Sequence, residues 1–249
     1  MRVVIVTGVS RGLGPAIARV LLDRGLTVLG VGRSSAAGLE GDRYRFAPCD
    51  LADLAGIDAA LAGAFGALAG LAPEFACLVN NAATTEPFGV VPRHDGAAVA
   101  GSLAVNLGAP IALAALFLRA FPEATVERKI VNISSGTARA AIAGSGLYCA
   151  GKAGLEMLTR VLAVESQDPA FRAVSLRPGV IDTDMQTRAR EQPEDVLPSV
   201  AMFRKFHADR RLVAPEVAAA KIVEQVILGE VRNGATYAWP DLLKPLPEV

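Results

Sequence analysis

Two residues in the run LYCAGKAGLE are suited to acid-base chemistry: Tyr148 and, four places later, Lys152. Side chains at i and i+4 of a helix share a face, so the phenol and the amine can address one point. Taken alone, such a pair is more often a packed ring beside a lysine snorkelling to water. Its chemical meaning depends on what the rest of the chain places beside it.

A second stretch offers a seat for an anionic ligand. TGVSRGLG, from Thr7 to Gly14, follows an apolar run and precedes a helix-forming segment. Glycines in that context let the main chain approach a pyrophosphate at a helix amino terminus. After the second apolar run, where a carboxylate would bond an adenosine ribose 2′-hydroxyl, the chain has Gly32 and then Arg33. Together with Arg11 in the glycine loop, Arg33 suits a 2′-phosphate through charge-assisted bonds. The expectation is NADP(H), with NADPH favoured over NADH.

Elements that could position these groups follow from hydrophobic pattern. VVIVT, TVLGV, YRFAP, FACLVN, KIVNI, RAVSLR and ATYAW are short, apolar and often β-branched, and seven strands are expected from them. Alanine- and leucine-rich helical segments lie between the first six, such as PAIARVLLDRG, with Pro15 in a first turn and Gly25 as the exit. Repeated β-α units predict a Rossmann-like, doubly wound three-layer α/β/α fold with a seven-stranded parallel sheet. Ligands of such sheets bind outside the carboxyl ends of the strands. The whole chain, 1–249, is expected to form one domain, with residues 185–212, rich in charge, Pro and Gln, as an inserted loop region or lid.

Composition narrows the class. The chain of 249 residues is half apolar with zero formal charge, which offers nothing to nucleic acid. Cys49, Cys77 and Cys149 are odd in number and lie in or beside apolar runs, as reduced thiols of a cytoplasmic protein would. No metal site is expected, since His94 and His207 stand far apart and no Cys-x-x-Cys occurs. The uncharged stretch 97–118 has the length of a membrane span, but Gly101, Ser102, Asn106, Gly108 and Pro110 interrupt it. A helix apolar all round is instead expected to be covered on a second side by another subunit.

With these motifs in order, the chain resembles the short-chain dehydrogenases/reductases from Arg2 to about Thr183, with a looser tail. The resemblance implies a cofactor loop at Gly8, Ser10, Arg11, Gly12, Leu13 and Gly14, and an adenine contact at Asp50 and Leu51. Asn80, Asn81 and Ala82 match the family's central-strand motif, with Ala83 in place of its usual Gly; Asn80 and Ala82 would face the cofactor. Pro178, Gly179, Val180 and Thr183 match its Pro-Gly-x-x-x-Thr strap, which would hold the nicotinamide carboxamide. Asn106, Ser135, Tyr148 and Lys152 match the catalytic tetrad, with Ser134 the alternative to Ser135.

By that resemblance Tyr148 donates the proton, Ser135 bonds the substrate oxygen, Lys152 grips the nicotinamide ribose and Asn106 anchors a water in a relay. A phenol with a pKa of about 10 is a poor acid-base group at neutral pH, so Lys152, together with the positive oxidised nicotinamide, is expected to lower it. A narrower resemblance, in LYCAGKAGLEML and RPGVIDTDMQ, is to the sepiapterin reductase branch and its bacterial relatives that reduce benzil-type diketones. Ala238 stands where the pterin enzymes have an aspartate, with Asp241 three residues on, which favours NADPH-dependent reduction of an apolar or aromatic ketone or vicinal diketone over that of a pterin. Met185, Gln186, Phe203, Phe206 and Trp239 are candidate pocket residues. A homodimer or tetramer through a four-helix interface is implied, the dimer favoured. Rival classes are a non-catalytic NADP(H) sensor and a dehalogenase using Ser and Tyr, which resembles this family but carries Arg in place of Lys.

Overall fold

The computed structural model describes residues 1–122 and 126–243. Each of the seven expected runs is a strand: β1 (Arg2–Thr7), β2 (Thr27–Gly32), β3 (Tyr44–Pro48), β4 (Phe75–Asn80), β5 (Glu127–Ile133), β6 (Phe171–Arg177) and β7 (Thr236–Ala238). They pair in parallel in the order β3-β2-β1-β4-β5-β6-β7. The order reverses between β1 and β4, and in sheets of this kind the cleft for a ligand lies at that point, outside the carboxyl ends of the strands.

Alternation along the strands sorts the core into two layers. Val4 and Val6 face α1 (Leu13–Asp23) and α8 (Pro215–Ile222), whereas Val3 and Ile5 face α2 (Ile57–Ala69) and α4 (Ala109–Ala120). Both faces are covered, which is why the central strands read as unbroken apolar runs. α3 (Gly96–Leu103), a π-helical segment (Ala104–Gly108) and α4 form one continuous helix. By length and composition Gly96–Ala120 could cross a membrane; here it packs on α2 and on α5 (Gly146–Glu165).

The expected lid contains two helices, α6 (Asp184–Glu191) and α7 (Val200–Ala208). Its ends meet: Val213 donates its N–H to Val180 O and accepts from Asp182 N, both at 2.8 Å. A segment of this length with a pinned neck can carry its own small core, here Ala189, Leu197 and Val200 with Phe88 and Phe203.

At the amino ends of β1, β4, β5 and β6 a surface hollow of about 390 Å³ is lined by Arg2, Glu127, Lys129 and Arg172 among others. Lys129 spends its ammonium on the carbonyls of Val226, Ile227 and Gly229 at 2.8–3.3 Å, closing a helix end. That charge is structural and lies far from the cleft.

Phe65, fully buried under the sheet on α2, sets the scale of the packing. Phe65→Ala should cost about 3–5 kcal/mol in urea unfolding. Val217→Ala, at a side chain 56% exposed, should stay within about 0.5 kcal/mol.

Candidate active site

The glycine loop leaves β1 and enters α1 at the switch point. A β-carbon on Gly14 would stand 2.1 Å from Gly8 O, and one on Gly8 would stand 2.9 Å from the Ala82 Cα. Close approach of three backbones therefore requires glycine at both positions. Asn81 staples the loop, its Nδ2 donating to Thr7 O at 2.9 Å and Gly8 O at 3.3 Å. Gly12 caps α1 without a side chain, and no acid occupies the first turn. A helix start so arranged fits an anionic pyrophosphate.

Around this cradle the other cofactor candidates divide. Ser10, Arg11 and Arg33 are exposed at the loop and at the β2 end, while Leu13 and Leu51 are buried. Arg11 Nε lies 3.6 Å from Asp184 Oδ2, on the α6 side. Arg33 makes no ion pair among the described residues. Asp50 Oδ1 accepts from Ala52 N at 3.0 Å and shapes its turn. Asn80 turns inward: its Nδ2 donates to Asn132 Oδ1 at 2.8 Å and its side chain is buried, so it offers the cleft main chain only.

α5 carries the acid-base pair. Tyr148, Lys152, Glu156 and Thr159 succeed one another along its inner face. Lys152 is 2% exposed and donates to Ile133 O at 2.7 Å, with its Nζ 5.6 Å from the centroid of the Tyr148 ring. Burial lowers its pKa to about 8. Ser135 hydrogen-bonds Tyr148, which favours the phenolate, but burial outweighs it and pushes the phenol up to about 12. The expected lowering by Lys152 is thus reversed: the ammonium points at a carbonyl rather than the phenol oxygen. At neutral pH the phenol keeps its proton.

The two serines separate cleanly. Ser134 is buried and donates to Glu156 Oε1 at 2.8 Å, away from Tyr148. Ser135, half-buried, reaches the phenol.

Asn106 sits in the π segment, fully buried. Its Oδ1 accepts from Thr84 N at 3.0 Å and its Nδ2 donates to Thr84 O at 2.8 Å. The side chain is spent on the loop after β4, so any water it anchors must use its main-chain carbonyl. Pro110, four residues on, has no N–H to give that carbonyl. Single π turns of this kind are frequent at functional sites.

Beyond β6, Pro178 and Gly179 lead into the strap ending at Thr183. A β-carbon on Gly179 would lie 3.1 Å from Trp239, and one on Gly12 would lie 3.1 Å from Thr183. The strap thus lies between Trp239 and the glycine loop. Met185 and Gln186 follow on the first turn of α6, half-buried, and Gln186 Oε1 is buried without a hydrogen-bond partner among the described residues. Phe203 packs inside the lid's own core, and Phe206 lies beneath the Arg211 guanidinium at 5.0 Å. Asp241 accepts from Ala238 N at 2.9 Å and caps α9 (Trp239–Leu242).

The family model of the short chain dehydrogenases matches residues 2–194. The chain belongs to that family. It is 30% identical over 230 residues to a benzil reductase ((S)-benzoin forming) of Bacillus cereus, covering 89% of this chain and 92% of that one. It is 33% identical over 250 residues to the sepiapterin reductase of Xenopus tropicalis, covering 92% and 93%. A short chain dehydrogenase from Burkholderia cenocepacia, solved with NADP, superposes with a TM-score of 0.75 at 28% identity, covering 95% of each chain.

Within this short-chain dehydrogenase the sequence reasoning missed Glu156 and Phe88. Glu156 had a signal, an acid one helical turn beyond Lys152 on the same face of the helix. Phe88 had none, because its neighbours in space come from α6 and α7.

A lysine pKa of about 8 in the fold against 10.5 in the open chain means that the buried cation costs stability. The cost is full below pH 8 and fades as pH rises from about 8 to 10.5. Lys152→Met should therefore abolish turnover while raising the thermal midpoint at pH 7, by up to about 3 kcal/mol of stability. The difference from wild type should shrink across that pH window in thermal melts.

Proposed function

We propose that this short-chain dehydrogenase is an NADPH-dependent carbonyl reductase acting on an apolar or aromatic ketone or vicinal diketone. The observation that carries the proposal is the grouping of Tyr148 and a buried Lys152, whose Nζ lies 5.6 Å from the centroid of the Tyr148 ring, with Ser135 on the phenol's side. When bound, NADPH supplies a hydride to the carbonyl carbon. Tyr148 gives its proton to the carbonyl oxygen, and Ser135 donates a hydrogen bond as charge gathers there. Solvent then returns a proton to the phenolate, and Lys152 would hold the nicotinamide ribose. Arg11 and Arg33 would take the 2′-phosphate, and Pro178, Gly179, Val180 and Thr183 the carboxamide.

Met185, Gln186 and Trp239 would border the substrate, with the lid from 185 to 212 closing over it in a single-domain chain. The diketone is preferred to a pterin because Ala238 has no side chain to grip an amino-pyrimidine and Asp241 is engaged in capping. The exposed Ile111 on α4 and Met157, Val161 and Val164 on α5 support a homodimer through these helices. Light scattering that reports only monomer at micromolar concentration would remove that part of the proposal. Three free cysteines suit a reducing cytoplasm.

NADPH consumption against benzil, simple diketones, aromatic ketones and sepiapterin, with NADH in parallel, is the direct test. Diketone turnover with NADPH preference is expected; strong sepiapterin turnover would favour a pterin reductase, and silence on all a non-catalytic NADP(H) binder. Tyr148→Phe should keep NADPH binding and lose roughly 10²–10⁴-fold in kcat. Arg33→Ala should raise the KM for NADPH about tenfold, through loss of one charge-assisted bond, and leave that for NADH near its starting value.

A further inference from the structure

Glu156 is 8% exposed and accepts three hydrogen bonds. Ser134 Oγ donates to Oε1 at 2.8 Å, Arg177 Nε to the same oxygen at 2.7 Å, and an Arg177 terminal nitrogen to Oε2 at 2.6 Å. Each partner sits next to a group already placed in the site. Ser134 immediately precedes Ser135, Arg177 immediately precedes Pro178 and Gly179, and Glu156 follows Lys152 by one turn of α5. One carboxylate thus joins the three segments that carry the serine, the Tyr148–Lys152 pair and the strap.

Stability alone gives little reason for such a device. A largely buried ion pair replaced by apolar side chains of similar volume is often neutral or stabilising, because desolvation offsets the Coulomb gain. What the bidentate fork supplies is direction: two parallel N–H···O bonds fix the angle between α5 and β6 as well as their distance. Reduction of a carbonyl needs the proton donor, the oxygen-binding hydroxyl and the nicotinamide in one register, and a displacement of about 1 Å can cost roughly 10²-fold in rate.

We propose that Glu156 and Arg177 are a positioning pair for this reaction, holding Ser135, Tyr148 and the Pro178–Gly179 turn in mutual register. The proposal rests on the reductase function argued above. Neither side chain is placed to touch substrate. Glu156 acts through Ser134 and the body of α5, and Arg177 through the main chain that continues into Pro178.

Three variants separate positioning from simple support: Glu156→Met, Arg177→Met and the two combined. Each single change leaves one buried charge without its partner and should lower the thermal midpoint. The double change removes both charges, and its midpoint should return to near wild type. In that double variant NADPH binding, followed by cofactor fluorescence, should stay within about threefold of wild type, while kcat with benzil falls at least about tenfold. The primary isotope effect from NADPH deuterated at the nicotinamide C4 should rise, because a slackened geometry slows the hydride step itself.

Wild-type kcat and isotope effect in a double variant whose midpoint has recovered would overturn the proposal and leave the pair as a staple of the fold. Should the unmodified protein reduce no carbonyl, the reductase function fails on its own. Positioning is then decided by the emission of bound NADPH: a shifted nicotinamide signal in the double variant supports it, and an unchanged one refutes it.

Discussion

A buried ammonium with a main-chain acceptor governs the arrangement around it. Lys152 donates to Ile133 O at 2.7 Å and has the Tyr148 ring alongside. Both neighbours demand that the end of β5 and the inner face of α5 hold one separation. A buried chain of hydrogen bonds sets it: Asn132 Nδ2 to Thr159 Oγ1 at 2.9 Å, Thr159 to Ser175 at 2.8 Å, and Asn80 to Asn132 on the other side. That chain stitches β4, β5 and β6 to the helix. Polar links in a low-dielectric interior are costly if incomplete and rigid when satisfied, which is the property a reactive geometry needs.

The same burial decides the chemistry. Desolvation moves the phenol and the ammonium in opposite directions, each toward its neutral form. A neutral phenol has a proton to give to an oxygen on which negative charge develops. The price is stability, since a lysine held below its ordinary pKa opposes folding at neutral pH. A fold wide enough to bury both sheet faces can absorb it.

Legibility in the sequence tracked how local each feature was. The strands were visible because a parallel sheet covered on both faces needs continuous apolar runs, and only β7, three residues at an edge, came out shorter than its run. Tyr148 and Lys152 were visible because one helical turn relates them. Glu156 and Arg177 lie on different elements, 21 residues apart, and nothing in spacing predicts their contact. The lid read as loop because its helices bury little beyond Ala189, Leu197 and Val200, so their apolar pattern is faint. The Tyr148 pKa went the other way from expectation because sequence names a neighbouring cation but not the direction in which its N–H groups point.

The small residues between and after the catalytic pair have their own physical reason. A β-carbon on Gly151 would stand 2.8 Å from the Asn106 Cβ, and one on Gly154 would stand 2.8 Å from Leu107. α5 can therefore press its glycine face against the π segment, most tightly at Gly151, where the contact is with the β-carbon of Asn106. That contact bears on where Asn106 sits, while Pro110, farther along the same continuous helix, has no N–H to offer the carbonyl of Asn106. Two local choices, glycine on α5 and proline on the helix it touches, therefore act on one residue.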